Sequence, residues 1–208
     1  MKPPAPPRGR GSRLNPDNRF ADWQRASFDD GWAPEDDSGE AIPRGPATTL
    51  ILDHAKSVIV RNTSPDVPFS QSVNPYKGCE HGCAYCFARP GHAYLGLSPG
   101  LDFETKIAWK PDAAAVLRRE LAAPRYQCRP IALGINTDGW QPVERRLGLS
   151  RQILEVLCET RHPVSIVTKS ALVERDVDLL ADMARDGLVQ VMFSITTLDP
   201  RLARKLEP

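Results

Sequence analysis

From residue 49 onward the chain alternates short β-branched runs with stretches of helical periodicity, and no other feature restricts the fold as much. Residues 57–60 and 103–109 read as strands, the second lying between Pro99-Gly100 and Pro111. Residues 112–121 place Val116, Leu117 and Leu121 at helical spacing, with Asp112 at the amino end. Residues 131–135 form a compact apolar strand, and 149–160 a helix whose buried stripe is Ile153, Leu154, Val156 and Leu157. His162-Pro163 ends that helix, and 164–167 is another β-branched run of strand length. Residues 173–186 repeat the helical pattern through Val177, Leu179, Leu180 and Met183, Gly187 serves as the C-cap, and 188–195 is the last strand. This order predicts an α/β fold of right-handed βαβ units with a parallel sheet. In such sheets chemistry sits beyond the carboxyl ends of the strands.

The segment before it has a different composition. Eight of the chain's 20 prolines fall within residues 1–46, among a basic start (Lys2, Arg8, Arg10, Arg13) and an acidic stretch (Asp29, Asp30, Glu35, Asp36, Asp37, Glu40). Such a segment buries too little to offset its ordering entropy, so residues 1–48 are expected to be disordered and 49–208 to form the domain. Phe20, Trp23, Phe28 and Trp32 give an alternative, a short element over 19–32 that docks its aromatics on the domain. A basic arm touching nucleic acid is a third reading. Charge does not favour it, because 27 Lys and Arg against 26 Asp and Glu leave a formal +1. No run approaches the ~18 apolar residues of a membrane span. No apolar core follows the basic start as a secretory signal requires, so a reducing, cytoplasmic setting is expected.

Five cysteines, an odd number, read poorly as a disulfide framework, since three fall within Cys79-Glu80-His81-Gly82-Cys83-Ala84-Tyr85-Cys86. Short spacings in a Gly-containing loop allow three sulfurs to be aimed at one centre. Thiolate ligands favour zinc or an iron–sulfur cluster over hard cations. A four-iron cluster on three cysteines leaves one iron open to a substrate or cofactor. The competing readings are a structural zinc that recruits His81 or His92, three unliganded thiols, and an electron carrier. The last would want a fourth cysteine at short range, whereas Cys128 and Cys158 lie more than 40 residues away.

The spacing CEHGCAYC, with Tyr85 before the third cysteine, resembles the cysteine motif of the radical S-adenosylmethionine (SAM) superfamily. The wider stretch NPYKGCEHGCAYCFARPGHAY, followed by NTDGWQPVE, VTKS and SITTLDP, resembles a subgroup related to spore photoproduct lyase. The resemblance runs from about Val58 onward. It implies a partial (βα)6 TIM-like barrel, with about four of six βα units in this chain. It also implies a [4Fe-4S] cluster held by Cys79, Cys83 and Cys86, at which bound SAM is cleaved by one electron into methionine and a 5′-deoxyadenosyl radical. Tyr85 would lie near the adenine. Asn136, Thr137 and Asp138 would contact the amino-acid end of SAM, Lys169 a carboxylate or ribose oxygen, and Ser194 and Thr196 ribose or carboxylate oxygens. A reductant such as flavodoxin or ferredoxin would supply the electron.

The catalytic residues and the substrate stay unassigned; nucleic acid enters by analogy with the lyase alone. A module that binds cluster and SAM without catalysis is the alternative to an enzyme. The chain departs from its relatives at Asp138-Gly139-Trp140-Gln141-Pro142, where Gly139 is expected to add freedom to a turn, and at Phe87, where a second tyrosine is common. The fourth helix is expected to begin at Leu206-Glu207-Pro208, which leaves the last strand uncovered and suggests a fragment of a longer protein.

Overall fold

The computed structural model describes residues 9–12, 14–20 and 47–208. Within them β1 (Thr49–Leu52), β2 (Ile59–Arg61), β3 (Gln71–Val73) and β4 (Tyr76–Lys77) come first. A 3-10 helix at Arg89–Leu95 and helix α1 (Leu101–Thr105) lead into β5 (Lys106–Trp109) and α2 (Ala113–Leu121). There follow β6 (Ile131–Leu133), α3 (Glu144–Leu147), α4 (Leu149–Glu159), β7 (Val164–Thr168) and a 3-10 helix at Ala171–Asp176. Helix α5 (Val177–Arg185), β8 (Val189–Phe193) and α6 (Pro200–Leu206) complete the order.

The fold is mixed α/β with two sheets. One has the order β2-β3-β6-β7-β8, in which β3, β6, β7 and β8 run parallel and β2 pairs antiparallel with β3. The other has the order β1-β5-β4, with β1 parallel and β4 antiparallel to β5. Its core joins Tyr76, Ile107, Val143 and Leu149.

Periodicity explains the larger core. Val164, Ile166 and Thr168 are buried while Ser165 and Val167 are half-buried, the period of 2 that a strand imposes. The α4 stripe of Ile153, Leu154, Val156 and Leu157 is buried as its spacing predicts, and it meets Leu117 of α2, Ile131 and Leu133 of β6 and Met183 of α5. Each such side chain contributes about 1.5–3 kcal/mol by leaving water. Gly187 takes φ +67° beyond the end of α5, the left-handed step that a helix terminator needs.

Several expectations are corrected. Residues 103–109 are not one strand: helix α1 ends at Thr105 and the strand begins at Lys106. The helix expected at 173–186 starts with a 3-10 turn, and α5 proper covers Val177–Arg185. The fourth helix begins at Pro200, where Asp199 caps it by accepting from the Arg201 N–H at 2.8 Å. Strand β3 went unforeseen because Gln71 and Ser72, although polar, are buried, and β4 because it is only two residues long. Gln71 accepts from the Tyr126 hydroxyl at 2.8 Å and donates to the Gln127 carbonyl at 3.1 Å.

The amino-terminal expectation also changes. Residues 10–12 and 14–18 are docked on the domain, by polar contacts. Asn15 exchanges two bonds with Asp102 (2.9 and 2.7 Å), and the Leu101 N–H donates to the Leu14 carbonyl at 3.1 Å. Composition missed this because the anchor is polar hydrogen bonding, from backbone and side chains alike, which needs no apolar residues. Phe20 stacks with Tyr94 at 5.4 Å between centroids, while Trp23, Phe28 and Trp32 lie outside the described residues. Among the described residues no helix is long and apolar enough to cross a membrane.

Candidate functional site

The parallel order of β3, β6, β7 and β8 brings the segments after their carboxyl ends to one side. The cysteine loop, following β4, is pinned there by backbone contacts. The Cys79 N–H donates to the Phe103 carbonyl and the Glu80 N–H to Gln141 Oε1, both at 2.9 Å. Fully buried Gln141 in turn donates through Nε2 to the Gly78 carbonyl at 3.1 Å. Arg89 Nη2 donates to the Cys83 carbonyl at 2.8 Å.

All three cysteines are free thiols, Cys79 and Cys83 buried and Cys86 half-buried, and they border one cavity of about 170 Å³. The opposite wall is formed by Gly134, Ile135, Asn136, Thr137 and Asp138 after β6, with Lys169 after β7 and Ser194 after β8. Tyr85 and Phe87 stand at its rim, 52% and 77% exposed. Thr196 does not line the cavity, but its Oγ1 lies 2.7 Å from the Tyr85 hydroxyl. The structure thus gathers around one cavity every residue that the resemblance assigned to the cluster or to SAM except Thr196, which touches its rim.

Two of these residues also tie the loop after β6 to its neighbours. The Thr137 hydroxyl donates to the Tyr76 carbonyl at 2.9 Å, and Asp138 accepts from the Thr168 hydroxyl (2.8 Å) and from the N–H groups of Trp140 (2.8 Å) and Lys169 (2.9 Å). His81 Nε2 lies 3.3 Å from the same carboxylate. Burial opposes ionisation of Asp138, but His81 and the two backbone donors outweigh it and hold the carboxyl below its usual value. Thr137 and Asp138 therefore staple the loop after β6 to its neighbours. Asn136 and Ser194 stay exposed.

Gly139 does not act by freedom. A Cβ there would stand 2.8 Å from Ser150 Oγ, which donates to the Gly139 carbonyl at 2.5 Å. Close approach of the loop to the start of α4 is what requires glycine.

Lys169 carries the strongest charge pairing at the cavity. The Glu207 carboxylate accepts from Lys169 Nζ at 2.8 Å, from Thr196 Oγ1 at 2.7 Å and from the Tyr85 hydroxyl. Burial disfavours both charges, yet these bonds raise the Lys169 ammonium above its usual range and lower the Glu207 carboxyl to about 2. Three donors from three segments thus converge on one carboxylate at the cavity mouth. Burial pushes the Cys79 and Cys83 thiols up, with Lys169 opposing it at Cys83.

Among the described residues no three His, Cys, Asp or Glu side chains are arranged to hold a metal ion. The three cysteines border the cavity without forming such a group. His81 is engaged with Asp138, and His92, 2% exposed, packs edge-on to Phe103 at 5.5 Å between centroids. Sequence reasoning missed Arg89, Glu104 and Gln141, which hold the loop. The missing signal for Glu104 was its element: a residue assigned to a strand hid a buried carboxylate on α1.

Uncharacterized proteins of Mycobacterium tuberculosis and Mycobacterium bovis are each 45% identical to this chain over 141 residues, 68% of the chain and 42% of the relative. An uncharacterized protein of Methanocaldococcus jannaschii is 27% identical over 136 residues, 65% of the chain and 48% of that protein. The chain therefore matches less than half the length of these curated relatives. No family model and no solved structure matches it.

Proposed function

We propose that this chain carries the cluster- and SAM-binding portion of a radical SAM enzyme related to spore photoproduct lyase, built on the first four βα units of a (βα)6 barrel. The observation that carries the reading is the single cavity bordered by Cys79, Cys83 and Cys86 on one side and by Asn136, Lys169 and Ser194 on the other. Three thiolates bordering a cavity suit an iron–sulfur cluster that leaves one iron open to a further ligand, whereas a structural zinc takes four protein ligands. The set also suits an amino acid, because Lys169, Tyr85 and Thr196 already converge on the Glu207 carboxylate.

When bound, the [4Fe-4S] cluster supplies the electron that cleaves the sulfonium–carbon bond of SAM and so generates a 5′-deoxyadenosyl radical. The chain's own residues bind and orient. Lys169 and Thr196 hold a carboxylate, the Tyr85 ring offers a face to the adenine, and the loop stapled by Thr137 and Asp138 keeps Asn136 at the cavity wall. A flavodoxin- or ferredoxin-type reductant in the cytoplasm would deliver the electron. Four parallel strands in sequence order support the barrel reading.

Anaerobic reconstitution with iron and sulfide should load about four irons per chain. Dithionite and SAM should then release 5′-deoxyadenosine. Stoichiometric zinc with no iron-dependent absorption rejects the proposal. Replacing Glu207 by alanine removes an internal competitor for Lys169 and should tighten SAM binding up to about tenfold by titration calorimetry, the equivalent of about 1.4 kcal/mol. Unchanged affinity would show that the ligand carboxylate binds elsewhere.

A further inference from the structure

The cysteine loop is gripped from behind by a segment to which nothing above assigns a role. Glu104 of α1 is fully buried. Its carboxylate accepts from the Gly11 N–H and the Ser12 N–H, both at 2.9 Å, and from Arg89 Nη2 at 2.6 Å. Arg89 spends its remaining donors on the loop and its flank, reaching the Cys83 carbonyl through Nη2 (2.8 Å) and Nε (3.2 Å), the Gly82 carbonyl at 3.2 Å and the Gly100 carbonyl at 3.2 Å.

A second route reaches the other end of the loop. Arg10 Nη1 donates to the Glu104 carbonyl at 2.6 Å, and its Nη2 donates to Thr48 Oγ1 at 3.0 Å. The Thr48 hydroxyl donates to Glu80 Oε1 at 2.5 Å, next to Cys79. Both routes start in residues 10–12 and both end on the segment between Cys79 and Cys83.

We propose that residues 10–12 are a positioning strap that sets the cysteine loop in its ligating geometry, acting through Glu104 and Arg89 on Cys83 and through Thr48 on Glu80. The proposal rests on the reading of that loop as a cluster ligand set. A fully buried carboxylate is costly without donors around it, and two of the three here are strap amides. Without them Glu104 relaxes toward water, Arg89 follows its partner, and the carbonyls of Gly82 and Cys83 lose the guanidinium that fixes them. The fit is backbone against backbone: a Cβ on Gly11 would stand 1.8 Å from the Gly82 carbonyl oxygen. Residues 10–12 are half-buried, belong to no hydrophobic cluster and are followed by an exposed Leu14, so the strap adds little to the core and acts on the loop.

The test compares the full-length protein with Gly11→Val, which drives the strap off the loop, and with Leu14→Ala as the control. Hydrogen exchange of residues 79–86 should quicken about tenfold in Gly11→Val and stay unchanged in Leu14→Ala, while β6 and β7 keep wild-type protection. In reconstituted protein a chelator should strip iron from Gly11→Val at least about fivefold faster, with a broadened electron paramagnetic resonance signal on addition of SAM, because a loosened ligand set samples several geometries. Equal exchange and equal iron loss in the variant and wild type overturn the strap and leave the cluster intact. Faster exchange spread through β6 and β7 also overturns it, since the strap would then hold the fold and not the loop. If the wild type takes up no iron, the cluster reading fails, and exchange of residues 79–86 alone decides whether the strap orders the loop.

Discussion

Replacing any one of Cys79, Cys83 and Cys86 with alanine should abolish stable iron loading and with it SAM cleavage, while Cys128→Ala and Cys158→Ala should leave both unchanged. Only the first three thiols border the cavity. Cys128 is exposed in the segment before β6, and the Cys158 thiol on α4 donates to Asp182 Oδ2 at 3.3 Å. A three-thiolate cluster has no spare ligand, so losing one removes a metal–sulfur bond that water replaces poorly. Each substitution deletes one small thiol, and circular dichroism should report a folded chain in all five variants. The measurement is iron per chain after anaerobic reconstitution and desalting, read beside absorption near 400 nm, roughly where thiolate-to-iron charge transfer falls. Equal loading of wild type and Cys83→Ala would remove Cys83 from the ligand set. Loss on Cys128→Ala would mean that the cluster is held elsewhere.

What the sequence disclosed and what it hid divide along a physical line. Elements whose burial follows from apolar periodicity, α2, α4, β6 and β7, stand within a few residues of where the spacing puts them. Elements buried through polar residues were invisible to periodicity: β3 buries Gln71 and Ser72, and α1 buries Asp102 and Glu104. In these, partners far along the chain satisfy the polar atoms, as Tyr126 does for Gln71. The same division holds at the site. Cysteine spacing revealed the thiols, because ligation constrains residue type directly, and the motifs pointed to the loops after β6, β7 and β8. The division of labour among the residues of those loops was not legible. Whether Asp138 faces a ligand or staples Thr168, Trp140 and Lys169 depends on distances that only the folded backbone sets.

The largest loss of stability from a single side chain outside the cysteine loop is expected at Asp176. Its carboxylate has no exposed surface. It accepts from Trp140 Nε1 at 2.9 Å, from Arg175 Nε and Nη2, both at 2.8 Å, and from Arg151 Nη1 at 3.2 Å. Trp140, itself fully buried, belongs to the loop that carries Thr137 and Asp138, so the network ties the cavity wall to the segment before α5. Replacement by alanine strands an indole N–H in the core and leaves two guanidinium groups without their shared anion. Breaking a buried charge network in this way costs about 3–5 kcal/mol. Arg151 and Arg175 are 33% and 28% exposed and can recover some water, which favours about 3 kcal/mol, a large share of the ~5–15 kcal/mol available to a domain. Asp176→Asn, which keeps an acceptor for Trp140, should lose less. The pH dependence has a fixed sign. Burial raises the Asp176 value, but the bonds from Arg175, Trp140 and Arg151 outweigh it and hold the carboxyl below its ordinary unfolded value of 3.8. Its contribution is therefore complete above that unfolded-state value and fades as pH falls through the lower native one. Urea unfolding midpoints should show a large wild-type advantage over Asp176→Asn at neutral pH that narrows in strong acid. An advantage that persists unchanged in strong acid would assign the effect to packing and not to the carboxylate charge.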